Sequence, residues 1–169
     1  DANRVVYLKA QTDADCVGMG TTLVGLILQE ATLWVVNVGD SRAYRITKGG
    51  IRRITRDHSV VEDMVARGDI TPEEARTHPR KNLITRALGS EERIRADLYE
   101  KELQPGDFLL LCSDGISGVL TPAELREAMC LPPDAGCRLL ETLVLEKGLP
   151  AQDNFTGTMI SIQSINGRE

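Results

Sequence analysis

The chain has 169 residues and a mass of 18.5 kDa, long enough for one hydrophobic core that needs no disulfide. Apolar residues make up 41% and charged residues 27%, a globular balance that excludes a disordered tail. The formal charge is -5, and basic stretches such as Arg52-Arg53 and Arg93 with Arg95 are too short to neutralise many phosphates, which argues against a dedicated nucleic-acid binder.

Cys16, Cys112, Cys130 and Cys137 lack metal-site spacing and have two histidines to join them, so a zinc cluster is excluded and a reducing, cytoplasmic compartment is expected. No run approaches the roughly 18 apolar residues of a membrane span, and residues 1–4 lack the form of a signal peptide. Direct membrane contact is not expected from this segment.

In chain order, residues 2–10 suit the end of a helix entered without a convincing cap. After the polar stretch 11–15, Gly18 and Gly20 allow a tight approach between this helix end and the first strand, over residues 21–28. Gln29-Glu30-Ala31 is a turn, and residues 32–38 form the next strand of a hairpin. Residues 42–46 alternate, Lys48-Gly49-Gly50 turns the chain, and residues 51–54 continue the meander, so a single antiparallel sheet built in sequence order is predicted.

The period then changes. Val60, Val61, Met64 and Val65 share a helical face that Gly68 ends, and Thr71-Pro72-Glu73-Glu74 is a capping box opening a very short helix toward His78-Pro79. The segment 57–86 is polar and irregular, as expected of a flap outside the layers. Residues 94–99 and 107–112 are predicted strands, the second nearly all apolar and therefore central. Thr121-Pro122-Ala123-Glu124 repeats the capping box, with Leu125, Ala128 and Met129 on the dry face of its helix. Pro132-Pro133 breaks that helix and Asp134 is expected to cap the next, which buries Leu139, Leu140, Leu143 and Val144 and ends at Gly148. Residues 156–162 close the chain as a strand. Helices and antiparallel strands are segregated, so the predicted class is α+β, one domain over residues 1–169.

Three aspartates stand where strand pattern gives way to turn: Gly39-Asp40-Ser41, Ser113-Asp114-Gly115 and Gln152-Asp153-Asn154. An aspartate just past a rigid strand is well placed to hold a hard cation, although each taken singly is an ordinary turn former. Spacing alone does not bring the three together.

Several blocks in order, however, make the sequence recognisable. They are Gly18-Met19-Gly20-Thr21-Thr22, Val38-Gly39-Asp40-Ser41-Arg42-Ala43-Tyr44, Thr55-Arg56-Asp57-His58-Ser59, residues 70–75, Asn82-Leu83-Ile84-Thr85-Arg86-Ala87-Leu88-Gly89, Leu110-Leu111-Cys112-Ser113-Asp114-Gly115 and Asp153-Asn154. Together they resemble the metal-dependent protein serine/threonine phosphatases of the 2C type, above all their compact bacterial Stp-like branch.

The resemblance implies a four-layer α-β-β-α sandwich of two antiparallel sheets. It implies hydrolysis of phosphoserine and phosphothreonine in proteins by water activated at a dinuclear Mn²⁺ or Mg²⁺ centre. Asp114 and Asp153 resemble ligands of that centre, and Asp40 resembles the residue that joins Asp114 around a third, weaker ion. Residues 57–86 match the flap, and His78 a flap histidine that influences substrate handling. His58 reads as a structural hydrogen-bonder, Cys112 as a buried structural thiol, and Arg86 either as a phosphate-steering charge or as a salt bridge back to the sheet. Expected partners are a phosphorylated protein and a serine/threonine kinase or its targets, with no nucleic acid.

The same resemblance marks a departure. Family members carry an Asn-Glu-Asp block and an Asp-Gly-Met-Gly-Gly-His block ahead of the first matching motif, and neither occurs here. The domain is therefore read as lacking its N-terminal strands, with sheet edges and an apolar face left uncovered. Three readings follow: the blocks lie elsewhere in the parent protein, a partner segment completes a fragment, or the chain is a diverged, inactive homologue. The intact Asp40, Asp114 and Asp153 count against the last. The functional alternative is a catalytically incomplete module that binds partners or regulates.

Overall fold

The computed structural model describes residues 1–47, 49–148 and 153–165; Lys48 of the predicted turn and Gln152 beside Asp153 lie outside the described residues. The elements are α1 (Ala2–Thr12), a 3-10 turn (Ala14–Cys16), β1 (Leu23–Gln29), β2 (Thr32–Val38), β3 (Arg42–Thr47), β4 (Gly50–Arg53), α2 (Val60–Arg67) and α3 (Pro72–Thr77). They continue with β5 (Asp97–Glu102), β6 (Phe108–Cys112), α4 (Asp114–Ser117), α5 (Pro122–Met129), α6 (Pro133–Glu146) and β7 (Gly157–Ser161).

The strands form two antiparallel sheets, ordered β1-β2-β5 and β4-β3-β6-β7. The predicted single sheet in sequence order is thus corrected, because the chain leaves one layer at the end of β2 and enters the other at β3. Gly39 makes the change possible: its φ of 101° is open to glycine, and a Cβ there would sit 2.4 Å from Thr22 Cγ2. Alternation along β6 explains its unbroken apolar run. Leu109 and Leu111 pack between the two sheets with Leu33, Val35 and Ala43, while Leu110 and Cys112 face α5 and α6 with Tyr44, Leu125, Met129, Leu140 and Val144. Each fully buried leucine or methionine there contributes about 1.5–3 kcal/mol.

Local signals fix most helix ends. The Ser59 hydroxyl accepts from the Glu62 amide, and Gly68 ends α2 at φ 78°. Thr71 with Glu74 and Thr121 with Glu124 form reciprocal capping boxes. Asp134 does not cap α6 as expected. That helix enters from Pro132, with Pro133 at its first position and Asp134 within the first turn, because the fixed φ of proline starts the helix one residue early. The strand predicted over residues 94–99 begins instead at Asp97, where pairing with Asn37 of β2 sets its register. Gly20 approaches Leu88 rather than the helix end: Thr21 pairs with Leu88, and a Cβ on Gly20 would meet the Leu88 carbonyl at 3.2 Å. The short α4 carried no periodic signal.

Helices α5 and α6 cover the outer face of the four-stranded sheet. The outer face of the other sheet carries Ile27 and Leu98, 67% and 71% exposed, with Trp34 between them, and β1 pairs among the described residues with β2 alone.

The α5–α6 contact closes on Gly136, whose added Cβ would lie 2.5 Å from the Ala128 carbonyl and 2.6 Å from Met159 Cε. Gly→Ala inside a helix normally stabilises by about 1 kcal/mol, but here a backbone oxygen blocks the space. Gly136→Ala is therefore expected to lower stability by about 1–3 kcal/mol in urea unfolding. A gain in stability would mean that the helices are free to separate.

Candidate functional site

Asp40 sits half-buried on the crossover from β2 to β3. The crossover is braced from three sides. The buried Asn37 amide donates to the carbonyls of Gly39 (3.3 Å) and Arg56 (3.0 Å), and the Thr22 and Ser41 hydroxyls lie 2.9 Å apart. His58 grips Gly39 twice: the His58 amide donates to the Gly39 carbonyl (2.9 Å), and the Gly39 amide donates to His58 Nδ1 (3.0 Å).

Because Nδ1 accepts that bond, the neutral ring carries its proton on Nε2, which faces Asp97 Oδ2 at 3.2 Å. Arg86 Nη1 is 2.9 Å from the same Nε2 and donates to Asp97 Oδ1 (3.0 Å) and the Arg95 carbonyl (2.8 Å). Two donors cannot bond each other, so both serve Asp97. Burial works against charge on Asp97, yet the bonds from His58 and Arg86 hold its carboxyl below the usual range. His58 is thus the structural hydrogen-bonder expected from the sequence, and Arg86 makes the salt bridge back to the sheet. The dependence of Gly39 on His58 had no sequence signal, since the two residues pair through folding alone.

Asp114 opens α4 directly after β6, and Gly118 donates to its carbonyl at 2.7 Å. The segment carrying Asp153 lies against it. The Ser113 amide donates to the Thr156 carbonyl (3.0 Å), the Thr156 amide donates to Ser113 Oγ (3.1 Å), and a Cβ on Gly115 would meet the Asn154 carbonyl at 2.5 Å. Asp153 Oδ1 accepts from the Asn154 amide at 2.8 Å.

Electrostatics ties Asp40 to the same rim. Burial first, and then the charge of Asp114, push its carboxyl up to about 6. The neighbouring Arg42 offsets little of this, because Asp57 holds its guanidinium through bonds of 3.0, 2.9 and 2.6 Å. Arg45 is likewise committed to Asp107.

These oxygen donors suit a hard divalent cation, and a buried carboxylate pressed by a second one is the charge pattern such an ion relieves. Among the described residues, however, no three His, Cys, Asp or Glu side chains gather closely enough to enclose an ion. The donor set is therefore open. His78 ends α3, half-buried, and its bonds stay local: its Nδ1 accepts from the Arg80 amide (3.1 Å) and its carbonyl from the Lys81 amide (3.0 Å). Cys112 is no nucleophile, for burial pushes its thiol up to about 12.

The family model described as Protein phosphatase 2C matches residues 2–64. The serine/threonine phosphatase stp of Listeria innocua is 40% identical over 129 residues, which are 76% of this chain and 51% of that protein. The crystal structure of the Mycobacterium tuberculosis serine/threonine phosphatase PstP/Ppp superposes with a TM-score of 0.89 at 34% identity, covering 96% of this chain and 68% of that one. A structure of the PstP catalytic domain in complex with two manganese ions gives a TM-score of 0.84 at 35% identity, covering 96% and 67%. The chain thus spans about half the length of the first of these relatives. Its two antiparallel sheets and likeness across nearly its whole length place the chain in the protein phosphatase 2C family, in the bacterial Stp-like branch.

Proposed function

We propose that this chain forms part of an enzyme that hydrolyses phosphoserine and phosphothreonine in proteins, with manganese or magnesium held by aspartates at the rim. The observation that carries the reading is the placement of Asp40 and Asp114 just beyond two rigid strands, where burial and then the nearby charge of Asp114 raise the Asp40 carboxyl. In this reading Asp114 and Asp153 hold two ions, and Asp40 joins Asp114 around a third. When bound, such ions supply Lewis acidity to the phosphoryl oxygens and to the attacking water.

The protein's own part is positioning. His58, Asn37 and the Thr22–Ser41 pair fix the backbone at Asp40, and the 113–156 hydrogen bonds fix Asp114 beside the segment of Asp153. Residues 57–86 serve as a flap over the rim, with His78 shaping substrate entry. No helix among the described residues is long and apolar enough to cross a membrane. We assign the enzyme to the cytoplasm, acting on a serine/threonine kinase or its targets.

A second reading, a partner-binding module, draws on the exposed Ile27, Trp34 and Leu98 beside the β1 edge. One assay separates the two. Phosphate release from a phosphothreonine peptide by the whole enzyme is expected to require Mn²⁺ and to fall by more than about a hundredfold in Asp114→Asn. Release that ignores both metal and substitution sinks the phosphatase reading, whereas partner binding indifferent to chelator favours the module.

Stability supplies an independent check. The Asp40 carboxyl lies near 6 in the folded chain against 3.8 for the ordinary group, so folding favours its protonated form. Its contribution is complete below about pH 4 and is lost as the pH rises through about 6. After allowance for partial solvent screening, the metal-free chain loses about 1–2 kcal/mol over that window. Asp40→Asn is expected to remove this part of the loss and raise the melting temperature at pH 7.5. An unchanged melting profile would show that the carboxylate is well solvated.

A further inference from the structure

A cavity of about 250 Å³ opens next to the aspartate rim, between α3 and the turn that joins α4 to α5. Its position follows from the chain. Arg42, on its wall, is two residues beyond Asp40, and Ser117 lies at the far end of the short helix that Asp114 opens. The floor is apolar, built of Tyr44, Ile51, Leu120 and Leu125. The polar part of the wall is cationic: Arg42, Arg53 and Arg76 line it, and no carboxylate among the described residues does.

Two of these guanidiniums are neutralised from behind. Asp57 holds Arg42, while Asp57 and Glu62 hold Arg53. Arg76 differs. Among the described residues its side chain makes one hydrogen bond, from Nη2 to the neutral carbonyl of Leu120 at 3.1 Å, and no ion pair. It is also the one side chain through which α3 bonds to the sandwich among the described residues. A chain of net charge -5 thus places one cation, unpaired among the described residues, at the mouth of a small, apolar-floored hollow beside the aspartate rim.

The size restricts the occupant. Small-molecule sites run to roughly 300–1,000 Å³, so this hollow suits a single side chain with an aliphatic stem and an anionic tip. We propose that it is a specificity subsite for a glutamate of the phosphoprotein substrate, with Arg76 pairing the carboxylate while the methylenes lie on Ile51 and Pro122. The proposal rests on the phosphatase reading for the identity of the occupant. Because the hollow adjoins the rim, and each residue of an extended peptide spans about 3.3–3.6 Å, the glutamate belongs within about three residues of the phosphorylated one.

The test measures binding of labelled phosphothreonine peptides to the full chain with Mn²⁺ by fluorescence anisotropy. One glutamate, or one glutamine in its place, is moved through each flanking position. At one position or two on the same side, glutamate is expected to bind about fivefold more tightly than glutamine, with the ratio growing at low ionic strength. Arg76→Gln is expected to bring the ratio to about one, and Arg76→Lys to keep part of it. Equal or unmeasurable binding of the two peptides, or a preference that survives Arg76→Gln in a chain with unchanged melting, overturns the subsite. Phosphate release by the whole enzyme keeps the two ideas apart. Preference without metal-dependent release removes the phosphatase reading and leaves the subsite, and release without preference does the reverse.

Discussion

The arrangement depends on one backbone constraint, the passage of the chain between its two sheets at residues 39–41. A hairpin would have kept β2 and β3 in one layer. A glycine at φ 101° instead turns the strand end across the gap, leaving a short, polar link whose own side chains contribute the Ser41 contact with Thr22. Its rigidity is imported. His58 holds both the amide and the carbonyl of Gly39, Asp97 in turn holds the imidazole ring, and Arg86 fixes Asp97. Each neutral bond contributes only about 0.5–1.5 kcal/mol net, but together they tie β2, β5 and both ends of the 57–86 segment to the residue before Asp40. The bridge between Ser59 and Ile84 closes that segment at its base.

Charge is sorted with the same economy. The arginine beside the rim, Arg42, is occupied by Asp57, whose charge adds to the pressure on Asp40. Asp40 and Asp114 are therefore left to repel each other, and the raised proton affinity of Asp40 records that repulsion together with its burial. A short distance away the sign reverses at Arg76. A negative rim beside a hollow with one uncommitted cation gives a surface that orients a ligand bearing charge at two points, which a uniformly acidic face would not do.

What the sequence made legible follows from how local each cause is. The capping boxes at Thr71 and Thr121, the glycine end of α2 and the doubly buried β6 were readable because their determinants lie within a few residues. Sheet membership was not, since a turn at Gly39 looks the same whether it closes a hairpin or crosses a gap. Asp134 misled for a related reason: a good capping residue lost to a proline pair just ahead of it. The blocks around Asp40, Asp114 and Asp153 gave the family, and the fold brings their segments to one rim. The role of Asp97 beside His58 and the unpaired state of Arg76 were beyond reach, because each is defined by neighbours distant in the chain.

The doubly buried strand has a consequence for how the molecule is made. Arg42 of β3 pairs with Cys112 of β6, and Ile46 with Phe108, so the inner ladder of the larger sheet joins segments far apart in sequence. On a ribosome, the β3–β4 hairpin emerges early and waits with Tyr44 and Ile46 bare until β6, and then α5 and α6, have been synthesised. This interval is when the nascent polypeptide is most open to misassociation, and when binding by a chaperone would matter most.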